Sequence, residues 1–388
     1  MAPLSAARPQ GSRFSSARVG VKITCEGQDS LCTGVIFQMQ YIAGRYTVSD
    51  IQFGLMIRGQ FPQEEDMRVR FDEMVEQVRL IDRLGFASLT KGMHYSSHPL
   101  QSFNQLVFHS RMAAESSNLR LNFGIILLSL HKPLDIAEQL ASLDVMSGGR
   151  VIFGAALGYR EVELAAFGVQ RKQIVRRFTE NIEAIKRLWT EDTVSMKGSF
   201  FELLDANVSV KPIQTPHPPV WIGANADPAI ERAARIGDCW YVNPHNRMDT
   251  IQHQVDVYKR ALDAAGKPFP KEFPGRRECF VAGSRDEAIR LCRPYLAKKY
   301  EVYHSWGQDK VMPDGDNDLG LDFDELIKDR FFLGGPDEVA EQIIAYTKQT
   351  GINHHVLSCQ WPGMPQNMVL DTLQLLAEEV FPRVRQGM

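Results

Sequence analysis

From Ile51 onward, apolar runs of strand length alternate with longer stretches whose apolar residues return every three or four positions. This is the βαβα rhythm of a parallel sheet wrapped in helices. The runs predict strands at 51–57, 86–90, 119–128, 150–155, 219–223, 238–242, 277–282 and 352–358. Helical patterns between them include Met67 to Leu84, Leu134 to Met146, Phe178 to Trp189, Pro228 to Ile236, Met248 to Ala265, Arg285 to Lys299 and Met368 to Val380. Eight such strands are the number that closes a (β/α)8 barrel.

One segment shows the logic most densely. Leu140, Leu143 and Val145/Met146 recur at helical spacing, Gly148-Gly149 supplies the positive-φ stop, and Val151 to Ala156 is a short apolar run suited to a strand covered on both faces. Gly158-Tyr159-Arg160 then follows the strand's C-terminal end, the edge where parallel α/β folds bind ligands. Two stretches break the rhythm: Val194 to Val210 reads as a small β excursion after the fourth unit, and the polar, glycine-bearing Tyr300 to Gly335 lies between units seven and eight. Insertions on that face tend to become lids. Residues 1–45 differ from the rest. Arg8, Arg13, Arg18 and Lys22 precede the first acid, Glu26, a loose match to a transit peptide, but Pro3, Pro9 and Gly11 break any helix. A disordered leader, or a start at Met39, accounts for the segment better.

Composition narrows the function. With 44% hydrophobic and 23% charged residues, a net charge of -3 and no apolar run of bilayer length, the chain reads as a globular protein without a basic field for nucleic acid or an anionic membrane. Cys25, Cys32, Cys239, Cys279, Cys292 and Cys359 are scattered, with no C-x-x-C pair, which argues against zinc or a disulfide framework and for reduced thiols in a cytoplasm. G-x-S-x-G, Walker and G-x-G-x-x-G signatures are missing, so serine hydrolase, nucleotide hydrolase and Rossmann dehydrogenase are weak readings.

Candidate chemistry gathers after the strands. Gly223-Ala224-Asn225-Ala226-Asp227-Pro228 runs from a strand into a helix: Gly223 lets a ligand approach the backbone, Asn225 or Asp227 can cap, and the free N–H groups favour a phosphate. His94 follows the second strand and His131 the third, so both are expected at one mouth, where two histidines can transfer protons or hold an oxyanion. They are too few for a metal cage. Asp314 to Glu325 spaces acids as a calcium loop does but has Leu319 where the turn glycine belongs, and reads as a solvated acidic loop. His354-His355, inside the last strand, should send one ring to the core and one to the helix layer.

Taken in order, Ala141 to Gly154 with Gly158-Tyr159, Glu163 to Val169, Arg177-Phe178 leading to Leu188-Trp189-Thr190, Phe200-Phe201, Lys211-Pro212, His217 to Gly223, Ala233 to Asp238 and Gly334 to Ala340 resemble the bacterial-luciferase-like flavin monooxygenases across most of 51–385. The resemblance implies a luciferase-like (β/α)8 TIM barrel over 46–388, with insertions after strands four and seven. It also implies reduced FMN, supplied by a separate NAD(P)H-dependent flavin reductase, or in one branch a reduced deazaflavin. Gly223, Ala224 and Asn225 would be the phosphate turn, and Gly158-Tyr159 the loop whose tyrosine reaches the flavin tail. Gly124-Ile125 lies where the family often places a strand bulge with an unusual peptide bond behind the ring.

In the oxygenase branch, reduced flavin and O2 form a C4a-peroxide that oxygenates an organic substrate, here expected to be apolar, in a homodimeric cytoplasmic enzyme. His94 is the choice for proton control or peroxide stabilisation, with His131 in support. Family members commonly carry an acid beside that histidine, whereas this chain reads Lys91-Gly92-Met93-His94, which leaves His94 without its orienting carboxylate. Trp361-Pro-Gly-Met-Pro365 would form a substrate wall or pack under the final helix. The alternatives are a deazaflavin-dependent dehydrogenase and a flavin-binding barrel without catalysis.

Overall fold

The computed structural model describes residues 51–388, so the leader, its transit reading and Met39 as a start fall outside the described residues. Eight parallel strands form the barrel: β1 Gln52–Met56, β2 Ser88–Lys91, β3 Arg120–Phe123, β4 Val151–Ala156, β5 Val220–Gly223, β6 Cys239–Tyr241, β7 Pro274–Val281 and β8 His354–Ser358. Each pairs with the next, β8 pairs with β1, and a parallel bridge between Val242 and Gly275 joins β6 to β7. The cycle of pairing leaves the barrel without an exposed edge.

The helices that follow these strands are α1 Met67–Arg83, α2 Gln105–Glu115, α3 Pro133–Ser147, α4 Ile174–Thr190, α5 Asp227–Ile236, α6 Met248–Ala264, α7 Arg285–Ser305 and α8 Gln366–Leu375. Between barrel and helices lies the main core, while Met56, Ile152, Trp221, Tyr241 and Val356 fill the barrel's interior. The alternation expected at the last strand holds. His354 reaches inward to Ser88 Oγ at 2.8 Å, and His355 points outward to Thr347 Oγ1 at 2.8 Å.

Four departures from the sequence pattern matter. The third run is broken: the register slips by one residue between Asn122 opposite Ile152 and Ile126 opposite Ala155, and the Gly124–Ile125 peptide in the gap is cis. The seventh strand starts at Pro274, before the apolar run, because Arg276 and Glu278 alternate with residues facing the helix layer. A further strand, Phe332–Gly334, pairs outside the barrel with β7 and leads into a helix at Pro336–Thr350. Finally, α3 stops at Gly148 with φ 71° as expected, but Val145 and Met146 are 40% and 72% exposed; of the four residues expected to share a face, Leu140 and Leu143 are buried, alongside Ile136, Ala137 and Ala141.

The insertion after unit four is an antiparallel hairpin, Val194–Lys197 with Glu202–Ala206. The acidic loop is not wholly solvated. Asp316 is fully buried against Arg330 at 2.9 Å and accepts the Arg247 amide, so one acid of the calcium-like pattern anchors the insertion to the barrel. Among the described residues no cluster of ligands suits a metal ion, and no helix is long and apolar enough to cross a membrane.

Candidate active site

A cavity of about 380 Å³ opens at the C-terminal ends of the strands, within the size range of small-molecule and cofactor sites. His94, Gly124, Ile125, Gly158, Tyr159, Gly223, Ala224 and Asn225 all line it. His131 does not. Its Nε2 lies 3.2 Å from the Tyr95 hydroxyl and its ring packs against Phe167, so the expectation that it faces the same mouth is not met. Burial also holds its pKa below the ordinary histidine value, which favours the neutral ring.

Where His94 was expected to lack a carboxylate, Glu163 supplies one from the short helix Glu161–Ala166 after the fourth strand. The two residues are far apart in sequence, but His94 Nδ1 stands 3.0 Å from Glu163 Oε1, which also accepts the Tyr95 amide at 2.8 Å. The carboxylate is 1% exposed, and Arg160, 3.7 Å away, donates to the carbonyls of Tyr95 and Ser96. An ionised carboxylate can only accept, so Nδ1 carries the hydrogen and Nε2 is the ring nitrogen left to exchange a proton with the cavity.

The Lys-Gly-Met departure is structural. Lys91 is fully buried and its Nζ donates to the carbonyls of Arg58 and Gly92 and to Ser102 Oγ, tying the loops after β1 and β2 together. Burial, with the nearby Arg58 charge, lowers its pKa to about 7. Gly92 packs on the broken third strand: a Cβ there would sit 2.5 Å from the Gly124 carbonyl oxygen.

The cavity also meets the N-terminus of α5. The cap is Ala226, without a side-chain hydrogen bond, and not Asn225 or Asp227. Asn225 instead donates to the Val311 carbonyl and accepts from Asn246, while Asp227 pairs with His253. The carbonyls of Ala224 and Asn225 are held by Trp240 Nε1 and Gln254 Nε2. With these peptides pinned, the amides of Asn225, Ala226 and Asp227 find no acceptor among the described residues, the arrangement that receives a phosphate. Along the wall the buried hydroxyls of Tyr159 and Tyr241 also lack a partner. Uncapped amides, orphaned hydroxyls and a mostly apolar space fit a phosphorylated flavin.

The cavity floor was not anticipated. Glu278, fully buried on β7, accepts from Arg58 at 2.5 Å, Lys299 at 2.8 Å and Trp361 Nε1 at 2.6 Å. Trp361 is thereby a buried packing residue and not a wall of the cavity. Burial alone would raise the Glu278 carboxyl, but Arg58, Lys299 and Arg276 outweigh it and push it down to about 2. A sequence signal was available: Arg276-Arg277-Glu278 leads directly into the apolar Cys279-Phe280-Val281, and a strand through all six puts Arg276 and Glu278 on one face.

The insertion between units seven and eight covers the site, as expected of its position. Tyr303, Gln308 and Val311 line the cavity. The Trp306 ring lies 5.3 Å from that of His94 and 4.2 Å from the Arg160 guanidinium, and its Nε1 donates to the His98 carbonyl.

Comparison with known proteins agrees with this geometry. The model of the luciferase-like monooxygenase family matches residues 51–354. An FMNH2-dependent dimethylsulfone monooxygenase of Pseudomonas putida is 26% identical over 325 residues, 79% of this chain and 87% of the relative. An F420-dependent glucose-6-phosphate dehydrogenase of Amycolatopsis mediterranei is 29% identical over 264 residues, covering 66% and 76%. Among solved structures, the monooxygenase RslO1 from Streptomyces bottropensis superposes with a TM-score of 0.75 at 27% identity, over 86% of this chain and 99% of that one.

Proposed function

The chain belongs to the luciferase-like monooxygenase family, and on that premise we propose that it uses reduced FMN and O2 to oxygenate a small organic substrate. The observation that carries this reading is an oriented histidine, His94 on Glu163, facing a cavity that also receives an uncapped helix terminus. When bound, reduced FMN would supply the two electrons and the site of oxygen activation. The residues of the chain do the rest.

Asn225, Ala226 and Asp227 present their amides to the phosphate, and Gly223, where a Cβ would occupy the cavity wall at 3.5 Å from Ala156 and Ile125, leaves that space to the tail. Ile125, Leu127 and Val242 keep the reacting end dry. His94, its Nδ1–H fixed on Glu163, accepts or returns a proton at Nε2. The carboxylate turns a solvent-tolerant loop histidine into an oriented one, which counts against a flavin-binding barrel without catalysis.

FMN that arrives already reduced requires a supplier, so the proposal includes a separate NAD(P)H-dependent reductase; the FMNH2 dependence named for the Pseudomonas putida relative supports it. It also includes a homodimer acting in the cytoplasm, where the buried free thiols Cys239, Cys279, Cys292 and Cys359 stay reduced. A deazaflavin-dependent dehydrogenase is the second reading, favoured by the 29% identical Amycolatopsis mediterranei relative. Anaerobic titration separates the two: the proposal expects tighter binding of reduced FMN than of reduced F420, and the opposite order would move the assignment to hydride transfer.

A further inference from the structure

We propose that Arg276, on the cavity floor, binds an anionic oxygen of the substrate, so that the oxygenated compound is a small organic acid with an apolar body. The inference rests on the monooxygenase reading and deepens it.

Arg276 lines the cavity from β7, its Nε is buried with no hydrogen-bond partner, and no carboxylate among the described residues lies within ion-pair distance of its guanidinium. The one acid of the floor, Glu278, is already saturated: Oε1 takes Arg58 and Lys299, and Oε2 takes Trp361. Arg58 is committed as well, to Glu278 and the Tyr303 hydroxyl. His245 spends Nδ1 on the Tyr300 hydroxyl and is kept neutral by its burial and by the surrounding cations. The floor therefore holds more positive than negative charge, and of its two cavity-lining guanidiniums Arg276 is the one without an ion-pair partner. A desolvated, unpaired cation is costly, and a bound anion relieves the cost; a guanidinium favours planar, two-oxygen partners such as a carboxylate or a sulfonate.

The topology separates this anion site from the cofactor's. Gly124, Ile125, Gly158, Tyr159 and the Gly223–Asn225 turn follow β3, β4 and β5, whereas Arg58 follows β1 and Arg276 lies on β7, on the other side of the barrel. Met56, Met93 and Val242 line the same cavity and would receive the apolar body. A charged recognition point in a mostly apolar pocket discriminates strongly, because a neutral analogue leaves the buried charge unpaired.

The test uses the full chain and three probes of equal length, hexanoate, hexane-1-sulfonate and 1-hexanol, titrated by calorimetry, with reduced FMN titrated anaerobically in parallel. Wild type is expected to bind at least one of the two anions roughly ten-fold or more tighter than hexanol. Arg276→Gln should erase that preference and Arg276→Lys should retain part of it, with FMN affinity within about three-fold of wild type in whichever variant keeps the wild-type circular dichroism spectrum. Equal binding of all three probes, or no binding of either anion, overturns the proposal. So does an Arg276→Gln protein that loses FMN affinity and keeps the anion preference, since the arginine would then read the flavin. If wild type binds the anions with the expected preference but takes no FMN, the monooxygenase reading fails while the anion site stands.

Discussion

Replacing Glu278 by Gln changes almost no volume and removes one charge from the centre of the cavity floor. That carboxylate is fully buried between Arg58 and Lys299, with Arg276 also acting on it, and it receives three hydrogen bonds. The displacement of its pKa from 4.5 to about 2 corresponds to roughly 3 kcal/mol of stabilisation held in the ionised form. Breaking a buried ion pair from one side costs a similar ~3–5 kcal/mol. Because the folded-state pKa is depressed, this stabilisation is present above the ordinary carboxylate range and is lost as pH falls from about 4.5 through about 2.

Urea denaturation at pH 7 should therefore show Glu278→Gln less stable by roughly 3 kcal/mol, with an unchanged m-value. The gap should narrow as the pH is lowered through that window. A variant within about 0.5 kcal/mol of wild type at pH 7, or a gap that widens in acid, would refute the reasoning that the floor's cations depend on this carboxylate.

Glu163→Ala should lower kcat about 10- to 100-fold with a smaller change in KM, since it frees the His94 ring while leaving the cavity open; Glu163→Gln, which can still accept one bond, should recover part of the loss, and an unchanged kcat in the alanine variant would remove the orienting role. Ala226→Asp introduces a capping carboxylate where the phosphate is proposed to sit: the affinity for FMN should fall at least about ten-fold while that for riboflavin is little altered, and an equal loss of both would place the phosphate elsewhere. His131→Ala, outside the cavity wall, should change kcat less than about three-fold; a loss as deep as that of His94→Ala would show that the Tyr95–His131 pair belongs to the reaction.

The barrel was legible in the chain because parallel strands buried on both faces read as unbroken apolar runs. The pattern was harder to read where chemistry displaced hydrophobicity. Arg276 and Glu278 sit on a strand whose interior face carries charge, so the run seemed to start late, and α2 was not evident because its buried face includes Gln105 and His109 while Val107 points outward. The glycine turn at Gly223 and the histidine loop at His94 were visible because backbone freedom and titratable groups leave local marks. The Glu163 partner was not, since a carboxylate in an amphipathic segment looks solvated until the fold brings two loops together. His131 shows the converse: position after a strand places a residue near the mouth, but its neighbours decide whether it reaches the cavity.

The central claim is tested most directly by loading the purified chain anaerobically with reduced FMN, mixing it with oxygenated buffer in a stopped-flow instrument and following the flavin absorbance. The account predicts a transient species that precedes oxidised FMN and is shortened in His94→Ala despite unimpaired FMN binding. Reoxidation at the rate and with the spectra of free reduced FMN, in wild type and variant alike, would contradict it.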